Sequence, residues 1–255
     1  MNESSRHRKI LQYLSEHTSA TVTELVDFLD KSPATIRRDI TKLDESKKLK
    51  KVRNGAERIA IELHQNDHAL KSLYPNMSDI HNVIENDRIA RKAVELCMEK
   101  DNVFISEGAA TFLMGRYLLS RNIQVYTNYM PLATYLITED FPHLIVLGGQ
   151  YVKNQNLLVS PDRHKNYQGR YLFCSGDGIT ESGLTKSGLL AFMEEKKLVE
   201  HVDKIVALID SDKIGVIGGV LLFSLDELDI VITGKDADPE IITQLKEKNI
   251  AVYLV

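Results

Sequence analysis

Two groups of residues in this chain have types and spacing suited to chemistry on a polyanion. The first is Ser32-Pro33-Ala34-Thr35-Ile36-Arg37-Arg38-Asp39-Ile40-Thr41-Lys42, followed by Lys50-Lys51-Val52-Arg53-Asn54-Gly55. An arginine can make two parallel hydrogen bonds to a guanine edge, and a threonine can reach a base or a phosphate oxygen. The second is a series of polar, glycine-rich junctions: Ser106-Glu107-Gly108-Ala109-Ala110-Thr111, Thr127-Asn128, Gly148-Gly149-Gln150, Ser175-Gly176-Asp177-Gly178 and Asp210-Ser211-Asp212-Lys213. Such junctions suit a small anionic ligand. Glycine lets the backbone approach closely, and the free N–H groups of a helix start take phosphate oxygens. A lysine such as Lys213 neutralises the charge, and a carboxylate such as Asp210 accepts hydrogen bonds from hydroxyls. The candidate ligand contacts are Ser106, Gly108, Ala109, Ala110, Thr111, Asn128, Gly149, Gln150, Asp177, Asp210 and Lys213.

The elements that would position the first group can be read from periodicity and caps. Ile10, Leu11 and Leu14 repeat at helical spacing and predict a helix over about 5–16. Thr21 with Glu24 three residues on makes a capping box for a second helix, whose apolar stripe is Val22, Leu25, Val26 and Leu29. Asp30-Lys31 form a tight connection. Ser32 caps a third helix and Pro33 fills its first position, where a missing N–H costs nothing. Ile36, Ile40 and Leu43 must face a core, which turns Ala34, Thr35, Arg38, Thr41 and Lys42 outward and leaves Arg37 and Asp39 on the flanks. Asn54-Gly55 reads as a two-residue hairpin turn, both positions taking positive φ, between two short strands with a basic tip. Helix, helix, capped basic helix and basic hairpin make a winged helix-turn-helix over residues 1–60. The expected DNA contacts are Thr21, Ser32, Ala34, Thr35, Arg37, Arg38, Thr41, Lys42, Lys51, Arg53 and Asn54.

Residues 61–80 read as a partly helical tether. His64 and His68 lie four apart within it but have no acidic or cysteine partner nearby, so no metal is expected. From about residue 81 short apolar runs alternate with helical patterns to the end, as a mainly parallel sheet covered by helices requires. The polar junctions fall at strand ends in that pattern, and ligands bind at the C-terminal ends of such strands.

Charge is unevenly distributed over the 255 residues. Residues 1–60 carry 13 Lys/Arg against 9 Asp/Glu, and the remainder 19 against 27, a basic head on an acidic body. Only the head is suited to meet a polyanion. No apolar run is long enough to span a membrane, the N-terminus has no secretory pattern, and Cys97 and Cys174 have no CxxC partners. These features lead us to expect a cytoplasmic protein with two buried thiols, no metal, no cofactor and no membrane partner.

The run Val22 to Leu43, with its Ser-x-x-Thr-x-Arg-Arg-Asp pattern at residues 32–39, resembles the signature of DeoR-family bacterial repressors. That resemblance implies that Ser32, Thr35, Arg37 and Arg38 touch double-stranded operator DNA. It extends over nearly the whole chain, through residues 127–133, 147–151 and 183–185 and the Asp210-x-x-Lys213 pattern. The implied fold is a winged helix-turn-helix followed by an α/β sensor domain, residues 81–255, that resembles ribose-5-phosphate isomerase and binds phosphorylated sugars. Within the family the likeness is to repressors of L-ascorbate utilisation, carried by residues 42–46, 49–56, most of 128–137 and 213–215. It implies an effector, L-ascorbate 6-phosphate, with Asp210 and Lys213 in its site, and a homodimer or homotetramer.

The chain departs from the family pattern in places. Lys47 stands where a glycine is usual, Asn54-Gly55 replaces Gly-Gly, and the phosphate loop has Ala109-Ala110 in place of hydroxyls. Thr111 is expected to take over one contact. Glu107 beside that loop must point away from a phosphate or carry a compensating cation. A repressor for another sugar phosphate, or a phosphosugar isomerase-like enzyme using Glu107, Asp177 and Asp210, are the alternatives.

Overall fold

The helical spacing of Ile10, Leu11 and Leu14 is realised in α1 (Glu3–His17), the first element of a computed structural model that describes residues 3–17, 19–46, 48–57, 82–161 and 166–255. The expected tether at 61–80 lies outside the described residues, with His64 and His68, as do Lys47, Arg58 and Ile59. The chain divides into two compact units, Met1–Ile84 and Glu85–Val255.

In the first unit, α1 is followed by β1 (Ser19–Thr21), α2 (Val22–Leu29), α3 (Pro33–Glu45), β2 (Lys50–Val52) and β3 (Gly55–Glu57). Thr21 and Glu24 form the reciprocal cap of α2, and Asp30 in the left-handed conformation ends that helix. Ser32 accepts the Thr35 N–H at 3.2 Å, and Pro33 opens α3. Ile10, Leu14, Leu25, Ile36, Ile40, Leu43 and Leu49 are buried together as the core of this unit.

The wing differs from the hairpin expected of the sequence. It is a three-stranded antiparallel sheet in the order β1-β3-β2, because Ser19–Thr21 pairs with Gly55–Glu57. Three residues are too few to show a strand period, so β1 is invisible in the sequence. The turn is Arg53-Asn54, and neither Asn54 nor Gly55 has positive φ. Gly55 is needed for a different reason: a Cβ there would sit 1.9 Å from the Ala20 carbonyl oxygen, so the approach of β1 demands glycine.

The second unit alternates helices and strands: α4 (Val83–Glu95), β4 (Asn102–Ile105), α5 (Ala109–Leu118), β5 (Gln124–Thr127), α6 (Met130–Thr138) and β6 (Leu144–Val146). A hairpin, β7 (Gln150–Val152) and β8 (Leu157–Val159), comes next. It is followed by β9 (Gly169–Cys174), β10 (Gly178–Thr180), β11 (Gly183–Lys186), α7 (Leu189–Lys196) and β12 (Val202–Leu208). The chain closes with β13 (Val220–Ser224), β14 (Ile230–Thr233), α8 (Pro239–Glu247) and β15 (Ala251–Leu254).

Seven strands form one sheet in the order β15-β14-β12-β9-β4-β5-β6, and every pairing in it is parallel. Phe104, Leu172, Ala207 and Val231, one from each of four adjacent strands, are buried in a single apolar cluster. A separate antiparallel sheet, β10-β11-β13, and the β7–β8 hairpin are additions to the expected pattern. Among the described residues no helix is long and apolar enough to cross a membrane.

Candidate functional sites

The first unit carries an exposed cationic face. Ala34, Arg37 and Arg38 are exposed on α3, opposite the buried Ile36, Ile40 and Leu43. The guanidinium groups of Arg37, Arg38 and Arg53 make no ion pair among the described residues. Thr35 is half-buried, its hydroxyl bonded to Ser32 at 2.9 Å. Thr41 donates to the Arg37 carbonyl and accepts from the Lys51 Nζ at 2.9 Å, while the Lys51 N–H donates to Asp44 Oδ1 at 2.8 Å. These bonds hold β2 against the end of α3. The Val22 N–H donates to the Asn54 carbonyl and ties the wing's turn to the start of α2. One of these ties, between Lys51 and Thr41, joins side chains of the expected DNA-facing set.

Two residues of that set, Lys42 and Thr21, also bond within the unit, and the neighbouring Asp39 is placed differently from expectation. Lys42 is exposed, but its Nζ sits 2.7 Å from Glu3 Oε1 in α1, an ion pair that water and salt screen. Thr21 has its amide and hydroxyl both engaged with Glu24 in the cap. Asp39 is not on an open flank: it is 1% exposed, and it accepts bonds from Arg6 at 2.8 and 3.0 Å and from His7 at 3.1 Å. Burial pushes its carboxyl pKa up, but the bonds from Arg6 and His7 more than offset this and hold it below the ordinary value. The acid of the Arg-Arg-Asp run therefore anchors α1 to α3 and leaves the two arginines facing out.

In the second unit the parallel sheet sets Asp210, Ser175, Ser106, Asn128 and Gly148 along one edge, beyond the C-terminal ends of β12, β9, β4, β5 and β6. At the β4–β5–β6 end of that edge lies a cleft open to solvent, closed on another side by α7. Its polar lining is Ser106, Glu107, Thr127, Asn128, Glu194 and Glu195, and its apolar lining includes Phe104, Tyr126, Leu147, Leu157 and Leu198.

Only Ser106 and Asn128 of the expected ligand contacts line this cleft. Gly108 starts α5 at φ 152°, where a Cβ would meet the Ser175 Cβ at 2.5 Å. Ala110 and Thr111 are buried, and the Thr111 hydroxyl donates to the Gly108 carbonyl at 3.0 Å. Thr111 therefore does not replace the missing hydroxyl contacts, because its side chain is turned into its own helix. Ala109, Ala110 and Thr111 keep first-turn N–H groups that have no acceptor within the helix. Gly149 packs on Val159, Gln150 is exposed in β7, and Asp177 accepts from the Ser187 N–H and hydroxyl at 2.7 and 2.6 Å. Asp210 is buried, 3.2 Å from Lys213 Nζ. The turn it opens is held by Glu85 of α4, which accepts from the Ser211 N–H and hydroxyl.

No sequence motif points to the charged group behind the cleft's glutamates. Lys186 of β11 is 4% exposed, and its Nζ lies 2.8 Å from Glu195 Oε1, 3.4 Å from Glu107 Oε1 and 3.3 Å from the Ser175 carbonyl. Ser106 donates to the same Glu195 oxygen. Lys186 is the cation that Glu107 requires. Burial pushes the lysine pKa down, and the two carboxylates outweigh that and raise it; burial pushes Glu195 up. Beside them Lys197 is paired with Glu194. Residues 186 and 195 belong to no motif, and the fold alone brings them to residues 106 and 107.

Both cysteines are buried free thiols, raised by desolvation, Cys97 to about 12. No group of three metal-ligating side chains occurs among the described residues.

Comparisons with known proteins match both units. The DeoR-like helix-turn-helix domain matches residues 6–62, and the DeoR C terminal sensor domain matches residues 81–235. The chain is 42% identical over 257 residues, covering 100% of both chains, to the HTH-type transcriptional regulator UlaR of Escherichia coli K12. It matches the protein of the same name from Shigella boydii serotype 18 equally. Among solved structures, ribose 5-phosphate isomerase A from Methanocaldococcus jannaschii is similar over 51% of this chain and 53% of that one, at 18% identity and a TM-score of 0.39. The eIF2B delta structure from Chaetomium thermophilum is similar over 82% and 89%, at 12% identity and a TM-score of 0.43.

Proposed function

The chain belongs to the DeoR family of helix-turn-helix transcriptional regulators, and from that premise we propose that it represses an L-ascorbate utilisation operon and leaves its operator when L-ascorbate 6-phosphate binds. The observation that carries the DNA-binding half is the face of α3, where Arg37 and Arg38 are exposed beside a basic wing. In this reading α3 enters the major groove, Arg38 reads a base edge, and Ser32, Ala34, Thr35, Arg37, Thr41, Lys42, Lys51, Arg53 and Asn54 meet bases or phosphates. Thr21 contributes by fixing the start of α2.

The sensing half rests on the edge of the parallel sheet, where the N–H groups of Ala109, Ala110 and Thr111 and the Lys213 ammonium offer positive ends to a phosphate. Ser106, Asn128, Gly149, Gln150, Asp177 and Asp210 stand along the same edge and supply acceptors and close backbone approach. A homodimer or homotetramer in the cytoplasm presents two α3 helices to a symmetric operator. Effector binding favours an arrangement of subunits in which the two helices no longer match the half-site spacing.

The test is fluorescence anisotropy of the full chain on promoter DNA from an ascorbate-utilisation gene cluster of the same genome. L-ascorbate 6-phosphate at saturation is expected to weaken binding at least tenfold, which is about 1.4 kcal/mol of coupling. Release by a different sugar phosphate would replace the effector and keep the regulator. Operator affinity unchanged by any sugar phosphate would remove the sensing half.

A further inference from the structure

The cleft at the β4–β5–β6 end of the sheet has a polarity that a phosphate does not fit. Three of its polar lining residues are glutamates, and no lysine or arginine is among the described residues that line it. The two lysines nearby lie behind the carboxylates. Lys197 is engaged by Glu194, and Lys186 lies between Glu195 and Glu107. A doubly charged phosphate at this surface would face carboxylates at close range in a poorly screened interior.

A second, independent feature is one oxygen of Glu195. The residue is 2% exposed, and its Oε1 takes both the Ser106 hydroxyl and the Lys186 ammonium. Its Oε2 is buried and has no hydrogen-bond partner among the described residues. A carboxylate oxygen removed from water without a donor is costly, and a ligand that brings a donor removes that cost. A hydroxyl brings one, whereas a phosphate dianion does not.

We propose that Glu195 reads the hydroxyl-bearing end of a polyhydroxylated phosphate ester, which enters the cleft hydroxyls first and leaves its phosphate at the cleft's mouth. This rests on the sensing role proposed above for the same edge of the sheet and assigns its orientation and its specificity residue. Asn128 and Thr127 border the hydroxyl-bearing part of the ligand, and Leu147 and Leu157 close on its carbon skeleton. Lys186 is a positioning residue: it holds Glu195 Oε1 and thereby leaves Oε2 as the acceptor. Selection is then by hydroxyl pattern, and phosphate supplies charge-based affinity common to all sugar phosphates.

The test is calorimetric titration of the full chain with L-ascorbate 6-phosphate, ribose 5-phosphate, fructose 6-phosphate and inorganic phosphate. The hydroxylated ester that binds wild type most tightly is expected to lose at least tenfold in affinity on Glu195→Gln, a neutral change of the same shape. The Kd for inorganic phosphate is expected to change less than twofold. Equal losses for both ligands, or no loss for either, would overturn the proposal, as would failure of every sugar phosphate to bind wild type.

Should Glu195→Gln not fold, Leu157→Trp fills the cleft and leaves the carboxylates intact. The same selective loss is expected there, and retained sugar phosphate binding would overturn the proposal. A Glu195-dependent ligand that binds without releasing operator DNA would remove the repressor-effector reading and leave this one standing. Release by L-ascorbate 6-phosphate that is indifferent to Glu195 would do the reverse.

Discussion

Arg37, Arg38 and Arg53 are exposed in the first unit and make no ion pair among the described residues, while Lys186 in the second is 4% exposed and bonded to one glutamate with another beside it. The first unit keeps a buried acid, Asp39, satisfied by Arg6 and His7, and turns Arg37 and Arg38 outward. The second leaves Glu195 Oε2 without a partner among the described residues of its interior. The difference matches the partners. A duplex approaches from outside along a surface, and its affinity is largely electrostatic. A small ligand must be enclosed and told from its relatives, which takes placed acceptors in a poorly screened cavity.

The largest expected effect breaks the buried half of this comparison. Lys186→Met leaves Glu195 and Glu107 without their shared cation inside the second unit. Removing one partner of a buried pair costs about 3–5 kcal/mol. Urea unfolding of the variant followed by circular dichroism should show that loss, and a loss below about 1 kcal/mol would mean that the cluster adapts by protonation or water entry.

Arg38→Ala tests the exposed half. Operator binding is expected to weaken by roughly 1–3 kcal/mol with the unfolding curve unchanged, since one bidentate base contact is worth that much. Unchanged affinity would remove α3 from the groove. The pairing of these variants sharpens the contrast: the buried cation should act on stability and the exposed one on DNA.

How legible each half was in the sequence follows from the same contrast. The face of α3 is a local pattern: Ile36, Ile40 and Leu43 inward fix Arg38 outward within three turns of helix, and Ser32-Pro33 fixes where the helix begins. The cleft is assembled from β4, β5, β8 and α7, and nothing within residues 183–196 advertises that Glu195 meets Lys186 and Ser106. What could be anticipated was a requirement, that Glu107 needed a cation, and the fold meets it from 79 positions away. Strand ends were legible because apolar runs stop at polar, glycine-rich junctions. Which junctions share a cavity was not, because that depends on strand order. Asp39 was misplaced because helical angle alone puts it on a flank, and the partners that bury it come from α1.

Asp39 yields a smaller effect with a defined pH sign. Its carboxyl pKa is held below the ordinary value in the folded unit. A group with a depressed folded pKa contributes stability that is present above its unfolded value, about 4, and lost as pH falls through the folded value. Wild type should therefore lose this contribution below about pH 4. Asp39→Asn should lower the melting temperature of the first unit by roughly 5 °C near neutral pH and flatten its acid dependence. An acid profile identical in the two proteins would mean that Arg6 and His7 do not bond the ionised carboxyl.

The smallest effect concerns Lys42, which belongs to both descriptions. It lies on the outward side of α3 with Arg38, yet its ammonium is spent on Glu3. An exposed pair of this kind exchanges readily, because water and salt screen it. If the lysine turns to a phosphate when DNA arrives, Glu3 competes with DNA for it. Glu3→Gln should then tighten operator binding slightly and raise the slope of log affinity against log salt by up to about one charge. Lys42→Ala should lower the slope by about as much and be insensitive to the Glu3 change. If Lys42 instead only fastens α1 to α3, Glu3→Gln leaves both affinity and slope where they were, and the row of outward cations ends at Arg38.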